Sequence, residues 1–260
     1  MRVVSVLLAA AAILVASCGG PYTPKKINVA SDKLAVADRL FDRHEYGRSA
    51  LEYKDFLATF AGDERGDYAQ FRLAESYRLD GEYALAEVEY QILINDYGYS
   101  EYVDDAFYLE GLCSFRQSPR AERDQTKTYE ALDRLNRFLQ LFPTSPRVPE
   151  ARETIREIHL KLGKKDFTSA KLYFSKKEYT ASLVYLNKVI ALDSETVWGA
   201  RSMYYKARIE ETRRDQVAAA ADYQRALAVK EAFPERQDAE KRRTLAIGAA
   251  AAGVPRKDGS

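Results

Sequence analysis

The sequence predicts an all-α protein, a solenoid of about five helical hairpins with a long helix in its middle. One observation behind this prediction is a residue pattern that recurs every 37 residues, from Ala74 to Gly111 and again from Ala170 to Ala207. Another is that the six prolines after Pro24 all fall where a helix should end or a loop should run. The composition agrees, because 46% hydrophobic and 30% charged residues are typical of a folded, well-solvated chain.

The first element of the chain has the features of an export signal. Residues 1–2 carry a basic side chain, residues 3–15 are apolar apart from Ser5, and small residues precede Cys18. The apolar run is shorter than the ~20 residues of a membrane-spanning helix. The sequence Val-Ala-Ser-Cys that ends at Cys18 resembles a bacterial lipobox, which implies cleavage before Cys18 and acylation of its thiol and new amino group. The alternative is an ordinary secretory signal with Cys18 as half of a disulfide.

Cleavage at this point would leave residues 18–260 outside the cytoplasm, with residues 18–30 as a flexible tether. Gly19 stands where an aspartate would often signal retention in the inner membrane, and the resemblance to bacterial lipoproteins implies the periplasmic face of an outer membrane. Cys113 is the only other cysteine, and its apolar neighbours indicate a small buried thiol. Loss of Arg2 leaves 39 of the 40 basic residues against 39 acidic ones, so binding to nucleic acid is not expected.

The hairpins are predicted from small residues at helix crossings and large residues in the seams between hairpins. In the second hairpin Ala74 and Ala86 are small, whereas Tyr77 and Tyr90 are large. This arrangement resembles the tetratricopeptide (TPR) repeat, in which a hairpin buries its apolar face only by stacking on its neighbours. The corresponding residues of the other hairpins are Ser49, Tyr53 and Phe56 in the first, Gly111, Ala131, Leu135 and Phe138 in the third, Ala170, Ser182, Leu186 and Val189 in the fourth, and Ala207, Ala219, Tyr223 and Ala226 in the fifth.

Two irregularities interrupt the repeat. Residues 117–128 contain an insertion that predicts a charged loop within the third hairpin. Extra residues around 148–161 amount to nearly four helical turns and keep the same face inward, so they predict one helix from about Pro149 to Lys176. Gly163 lies in the middle of this helix, where it is a candidate for a kink or break.

The long helix separates two expected modules. The N-terminal TPR module would span residues 31–147 with three repeats, and the C-terminal TPR module residues 148–243 with two. The segment from about residue 244 to residue 260 is Ala-rich and then polar, and we expect a frayed helix followed by disorder there.

The order of these features resembles the BamD family of outer-membrane assembly lipoproteins. The resemblance rests on the split third repeat, the long fourth-repeat helix, the lipobox, and segments at 104–112, Arg123-Asp124, 138–143 and 177–179. It implies a non-catalytic subunit of the machinery that assembles β-barrel proteins. The implied partners are the periplasmic domains of the barrel-forming core subunit, other assembly lipoproteins and unfolded outer-membrane proteins, with the acyl lipid on Cys18 holding the protein on the membrane.

The first helix of each TPR hairpin lines a groove. In the N-terminal module its outward positions are aromatic with scattered charge, which suits an extended apolar peptide. The client-binding candidates are Phe41, Tyr68, Phe71, Arg78, Tyr108 and Phe115. Arg78 is a candidate to bind a peptide carboxylate. The alternative is that these aromatic side chains pack against neighbouring repeats as part of the core.

The equivalent positions of the C-terminal module hold four cations, three aromatic residues and one anion, Glu211. The candidates for partner docking are Lys164, Phe167, Lys171, Phe174, Arg201, Tyr204 and Arg208. Cations interleaved with aromatic rings on one face predict a docking surface for an acidic partner. The alternative is a solvated helix face of mixed charge.

The sequence does not contain the motifs that the common classes of enzyme require. His44 and His159 lie in different repeats, and the sequence has no CxxC, P-loop or GxSxG motif, so we expect no catalytic residue, metal or cofactor. Three other lipoprotein classes remain open: a secretin pilotin, a periplasmic envelope adaptor, and a glycan-binding protein of nutrient uptake. Trp198 is the only tryptophan, which offers little of the aromatic platform that glycan binding requires.

Overall fold

The computed structural model describes residues 22–253, and within them it contains eleven α-helices and no strand. The predicted all-α class is confirmed. Cys18 and the signal segment lie outside the described residues. The helices are α1 (Ala30–Asp42), α2 (Tyr46–Thr59), α3 (Gly66–Leu79), α4 (Tyr83–Asp96), α5 (Val103–Arg116), α6 (Thr126–Leu141), α7 (Val148–Ser175), α8 (Tyr179–Leu192), α9 (Val197–Thr212), α10 (Gln216–Ala228) and α11 (Arg236–Ala251).

The chain forms two compact units, one ending at Ala106 and the other beginning at Phe107. In the first unit, α1 to α4 pack in sequence, each on the next. In the second unit, α7 to α11 do the same, and α7 also packs directly on α9. This boundary lies inside α5, whereas the functional division that the sequence suggests at residues 147/148 stays a prediction.

Small residues occupy the helix crossings where the repeat pattern placed them. Ala74, Ala86, Ala207 and Ala219 are completely buried. A Cβ atom added to Gly111 would lie 2.9 Å from Cγ of Leu135, so α5 and α6 meet too closely for any side chain at that position. The predicted repeat register is therefore confirmed.

The tight turns within the hairpins use a left-handed residue. Gly81 has φ +85° between α3 and α4, and the equivalent turns place His44, Lys177 and Arg214 at φ +59°, +63° and +58°. A side chain in this region is strained, because its Cβ approaches the backbone carbonyl. Three of these four turns therefore lack the residue that fits their geometry best.

Helix α7 confirms the predicted long helix, since it runs for 28 residues without a break. Gly163 was a candidate for a kink or a break. The prediction of a break is wrong, because the helix continues through that residue. A Cβ atom at Gly163 would lie 3.1 Å from Cβ of Trp198. The glycine therefore lets α7 approach α9 closely instead of interrupting α7.

The N-terminal end of the described chain is more ordered than the sequence suggested. Residues 22–26, expected to belong to a flexible tether, hydrogen-bond to the first hairpin. At the other end, where a frayed helix followed by disorder was expected from residue 244, α11 continues to Ala251. Ala239 and Ala246 of α11 are buried in a cluster with Tyr204 and Tyr223, so hydrophobic packing on α10 and α9 supports this helix.

Candidate peptide-docking groove

A groove of about 410 Å³ lies on the face that α7 and α9 share in the second unit. Four predicted docking residues line it. Lys164, Phe167 and Lys171 lie on one face of α7, because positions three, four or seven apart share a face of a helix, and α9 contributes Arg201. The remaining lining residues, which the sequence analysis did not single out for docking, are Thr168, Leu172, Ser175 and Trp198.

Aromatic rings form the floor of this groove. Phe167 is almost fully buried, and its ring centroid lies 5.4 Å from that of Trp198 and 5.5 Å from that of Tyr205. Phe174 packs edge-on against Tyr205 at 5.0 Å. Phe167 therefore forms the buried floor of the groove beside the half-buried Trp198, whereas Phe174 is not one of the lining residues.

Arg201 stacks on this floor but its charge is already neutralised. Its guanidinium carbon lies 4.5 Å from the Phe167 centroid. The same guanidinium donates two hydrogen bonds to Glu235, from Nε at 3.0 Å and from Nη2 at 2.8 Å. A bidentate pair whose side chains are each only 15% exposed is a structural clamp between α9 and the start of α11.

Arg208 and Tyr204 form a second set of hydrogen bonds between α9 and α11. Tyr204 donates its hydroxyl proton to Asp238 at 2.5 Å, and Arg208 donates to the Tyr204 oxygen at 3.0 Å. Burial, reinforced by the Asp238 carboxylate, raises the pKa of Tyr204, so the hydroxyl stays a donor. Tyr204 is buried, and it is therefore a core residue and not a contact surface as predicted.

The carboxylates of α11 and the turn before it follow a fixed spacing. Glu231 accepts from the Val197 amide at 2.9 Å, Glu235 accepts from Arg201, and Asp238 accepts from Tyr204, and in each pair the residues are 34 positions apart. A spacing of 34 residues is that of one TPR repeat. Helix α11 thus stands as the first helix of a further repeat, and Glu235 at its start neutralises Arg201 of α9.

The available positive charge of the groove comes from two lysines of α7. Lys164 is 55% exposed, with its Nζ 3.9 Å from Glu122, and exposed Lys171 has no ion-pair partner among the described residues. Leu172, which is 54% exposed, lies beside them. The arrangement can bind a segment that brings carboxylates to the lysines and an apolar side chain to Leu172 and Trp198.

Three of the client-binding candidates, Phe41, Tyr68 and Phe71, are half-buried in the first unit, and each contacts the side chain of another residue there. Phe71 stacks on Tyr102 at 4.8 Å with an interplanar angle of 14°. The Arg72 guanidinium lies 3.5 Å from the Phe41 centroid, and Tyr68 donates its hydroxyl proton to Asp38 at 2.9 Å. These rings pack against neighbouring side chains, and each of the three residues remains only half-buried.

The other three N-terminal candidates are engaged within their own unit. Arg78 donates two hydrogen bonds to Glu75, at 2.7 and 2.9 Å, so its guanidinium already has a carboxylate partner. Tyr108 is buried, with its ring 6.0 Å from that of Phe138, and is a core residue instead of the predicted groove residue. Phe115 is half-buried beneath the Lys161 ammonium, which lies 5.3 Å from its centroid.

Helical hairpins with small residues at their crossings and left-handed turns define the TPR class of repeat proteins. The family model YfiO, described as outer membrane lipoprotein, matches residues 32–223. The chain belongs to this family, the BamD-type outer membrane lipoproteins. It is thus an outer membrane lipoprotein with a TPR scaffold. Helix α11, at residues 236–251, lies beyond the matched region.

Comparison with solved structures finds other TPR proteins. The TPR2AB-domain:pHSP90-complex of yeast Sti1 matches at 15% identity with a TM-score of 0.48, covering 86% of this chain and 84% of that one. A thermophilic TPR protein of Thermus thermophilus matches at 17% identity with a TM-score of 0.36, covering 84% and 99%. A comparison with curated proteins found no match. Between residues 22 and 253, no helix is both long and apolar enough to cross a bilayer, and no acidic, His or Cys group is arranged to hold a metal.

Proposed function

We propose that this protein is a non-catalytic subunit of the outer-membrane β-barrel assembly machinery, anchored by acylated Cys18 on the periplasmic face of the outer membrane. The groove between α7 and α9 would dock the periplasmic domains of the barrel-forming core subunit. The observation that carries this proposal is the pair of accessible lysines, Lys164 and Lys171, above an aromatic floor. Family membership supports the outer-membrane setting.

The spacing of the two lysines defines the partner's chemistry. Lys164 and Lys171 are separated by seven residues of one helix, a rise of ~10 Å. A partner segment that places two carboxylates about that far apart, with an apolar side chain between them, would pair with both ammonium groups and cover Leu172. Because both lysines are exposed, their contribution is mainly to the rate of association and to its dependence on salt.

Client binding belongs to the first unit in this proposal. Phe41, Tyr68 and Phe71 are half-buried aromatic residues, which suit contact with the alternating apolar residues of an unfolded outer-membrane protein. This contact would depend on buried aromatic area and would resist salt, whereas docking through α7 would weaken with salt. Other assembly lipoproteins are the remaining partners in this proposal.

Purification of the acylated protein from outer membranes, with identification of its bound partners, tests the proposal. Recovery of a barrel-assembly core subunit is expected. A secretin subunit would indicate a pilotin, a constriction protein an envelope adaptor, and an oligosaccharide a nutrient-uptake role. Phe71→Ala should then weaken binding of an unfolded barrel segment and spare the core subunit. Equal loss of both partners would contradict the division between the units.

A further inference from the structure

The first hairpin contains a buried ion pair that the sequence did not reveal. Lys33 of α1 is 1% exposed and Glu52 of α2 is fully buried, with 2.5 Å between Nζ and Oε2. Asp55 also pairs with Lys33. Burying two charges destabilises the fold unless further hydrogen bonds replace the water that each charged group loses. The stability of the buried pair therefore depends on the groups that form these further hydrogen bonds.

Residues 22–26, called the strap below, supply these hydrogen bonds. The Lys25 amide donates to Oε1 of Glu52 at 3.0 Å, and the Tyr22 hydroxyl donates to the same oxygen. Lys33 in turn donates from Nζ to the Lys25 carbonyl at 2.9 Å. The Arg48 guanidinium covers the Tyr22 ring at 5.3 Å. The strap is thus part of the polar core of the first hairpin.

The contacts also give the direction in which the strap runs. Lys25 lies beside Lys33, near the start of α1, whereas Tyr22 lies beside Arg48, near the start of α2. Going from Lys25 back to Tyr22, the chain therefore travels toward the turn that joins α1 to α2. Cys18 precedes Tyr22 by four residues, a stretch that spans at most ~14 Å.

We propose that the strap docks the anchored end of the chain on the first hairpin, so that the turn between α1 and α2 faces the phospholipid headgroups. The inference rests on the proposed acylation of Cys18. A free tether over residues 18–30 would instead allow a separation of ~40 Å and no fixed orientation. Exposed Arg39 and Arg43 lie at this end of α1, where they would meet lipid phosphates.

A short, docked leash changes what the anchor does. It holds the first unit close to the membrane and limits its rotation, which raises the effective concentration of its client-binding edge at the bilayer surface. If the strap detached, the buried Glu52 carboxylate would lose two of its hydrogen-bond donors, Tyr22 and the Lys25 amide. Leaving a buried carboxylate without donors is unfavourable, so the buried pair itself helps to keep the strap docked.

Hydrogen exchange on the acylated protein in detergent tests the docking. The Lys25 amide should exchange on the order of tenfold or more slowly than the Lys26 amide, for which the structure shows no hydrogen bond. Tyr22→Ala should remove this protection, and Thr23→Ala, at an exposed neighbour, should leave it. Equal exchange at Lys25 and Lys26 in the parent protein would overturn the docked strap.

Quenching in vesicles that carry nitroxide-labelled headgroups tests the orientation. Cys113 is buried, so a cysteine introduced at exposed Arg43 or exposed Ala61 is the thiol that a fluorophore reaches in the acylated protein. These sites flank α2, whose 14 residues rise ~21 Å. The Arg43→Cys label should be quenched more than the Ala61→Cys label, and Tyr22→Ala should reduce the difference.

Failure of the orientation and failure of the anchor give different results. Equal quenching of the two labels in an acylated protein would overturn the orientation and leave the proposed function intact. An unacylated N-terminal peptide, seen by mass spectrometry, would refute the anchor and with it the membrane contact. A quenching difference that Tyr22→Ala leaves unchanged would mean that the strap does not set the orientation.

Discussion

Gly199, in the first turn of α9, has the tightest surroundings of the described glycines. A Cβ atom there would lie 2.5 Å from the carbonyl oxygen of Asp193 and 2.6 Å from that of Ser194. Ordinary contacts begin near 3.4 Å, so the α8–α9 turn would have to move by about 0.9 Å. This turn positions Trp198 and Arg201 for the groove, and the glycine therefore links local backbone geometry to the docking surface.

The substitution Gly199→Ala should destabilise the second unit. Overpacking against a fixed backbone costs ~1–3 kcal/mol or more, whereas alanine gains ~1 kcal/mol of helix propensity over glycine. We expect a net loss of about 1–2 kcal/mol, which lowers the melting temperature of a unit of this size by ~2–8 °C. Trp198, the only tryptophan, lies next to the substitution, so its fluorescence reports unfolding of this unit.

Gly248 provides a matched control for this prediction. It lies in α11, is exposed, and nothing within 4 Å would meet an added Cβ atom. Gly248→Ala should therefore stabilise the protein by up to ~1 kcal/mol through helix propensity alone. The same chemical change should thus have opposite signs at two helical positions. If Gly199→Ala leaves the melting temperature unchanged or raises it, the close approach of the α8–α9 turn is refuted.

Three further predictions concern stability. Burial, followed by repulsion from Asp222, raises the pKa of Glu210 to about 7, so its stabilising contribution, full below the unfolded pKa of about 4.5, is lost as the pH rises through 7. Denaturant titrations should find the second unit more stable at pH 5.5 than at pH 8 by ~1–3 kcal/mol, and a pH difference that Glu210→Gln leaves unchanged would exclude this residue as its source. Glycine at the left-handed turn positions, as in Lys177→Gly or Arg214→Gly, should raise stability by up to ~1 kcal/mol, and a lower melting temperature for both would contradict the strain. Ala207→Leu should cost ~1–3 kcal/mol by overpacking a filled crossing, and an unchanged melting temperature would contradict the repeat register.

The sequence predicts the parts of the fold that repeat. Ala74 and Ala207 could be placed at helix crossings because a close crossing leaves room only for small side chains. The length of α7 followed from the number of residues added between repeats, since nearly whole turns keep the same face inward. The shared groove face of Lys164, Phe167 and Lys171 followed from helical spacing alone.

The parts that could not be predicted depend on partners distant in the sequence. From the sequence, Arg201 is indistinguishable from an unpaired cation, because its partner Glu235 lies 34 residues later. Helix α11 itself carries too little of the repeat pattern to be predicted as part of a further repeat. Lys33 looks like any surface lysine, and its burial depends on its pairing with α2 and on the approach of the strap. Periodicity reports which face of a helix is apolar, but it does not report which charges meet.

We propose that Lys164 and Lys171 steer an acidic partner into the groove of the second unit. The most direct measurement is the association rate of the Lys171→Glu protein with the periplasmic domains of the core subunit, at low and moderate salt. Lys176→Glu, at an exposed lysine outside the groove lining, is the matched control. We expect Lys171→Glu to slow association about tenfold at low salt, with a difference that shrinks as salt is added, and Lys176→Glu to have a much smaller effect. Equal effects of the two substitutions, or a rate that does not depend on salt, would contradict the account.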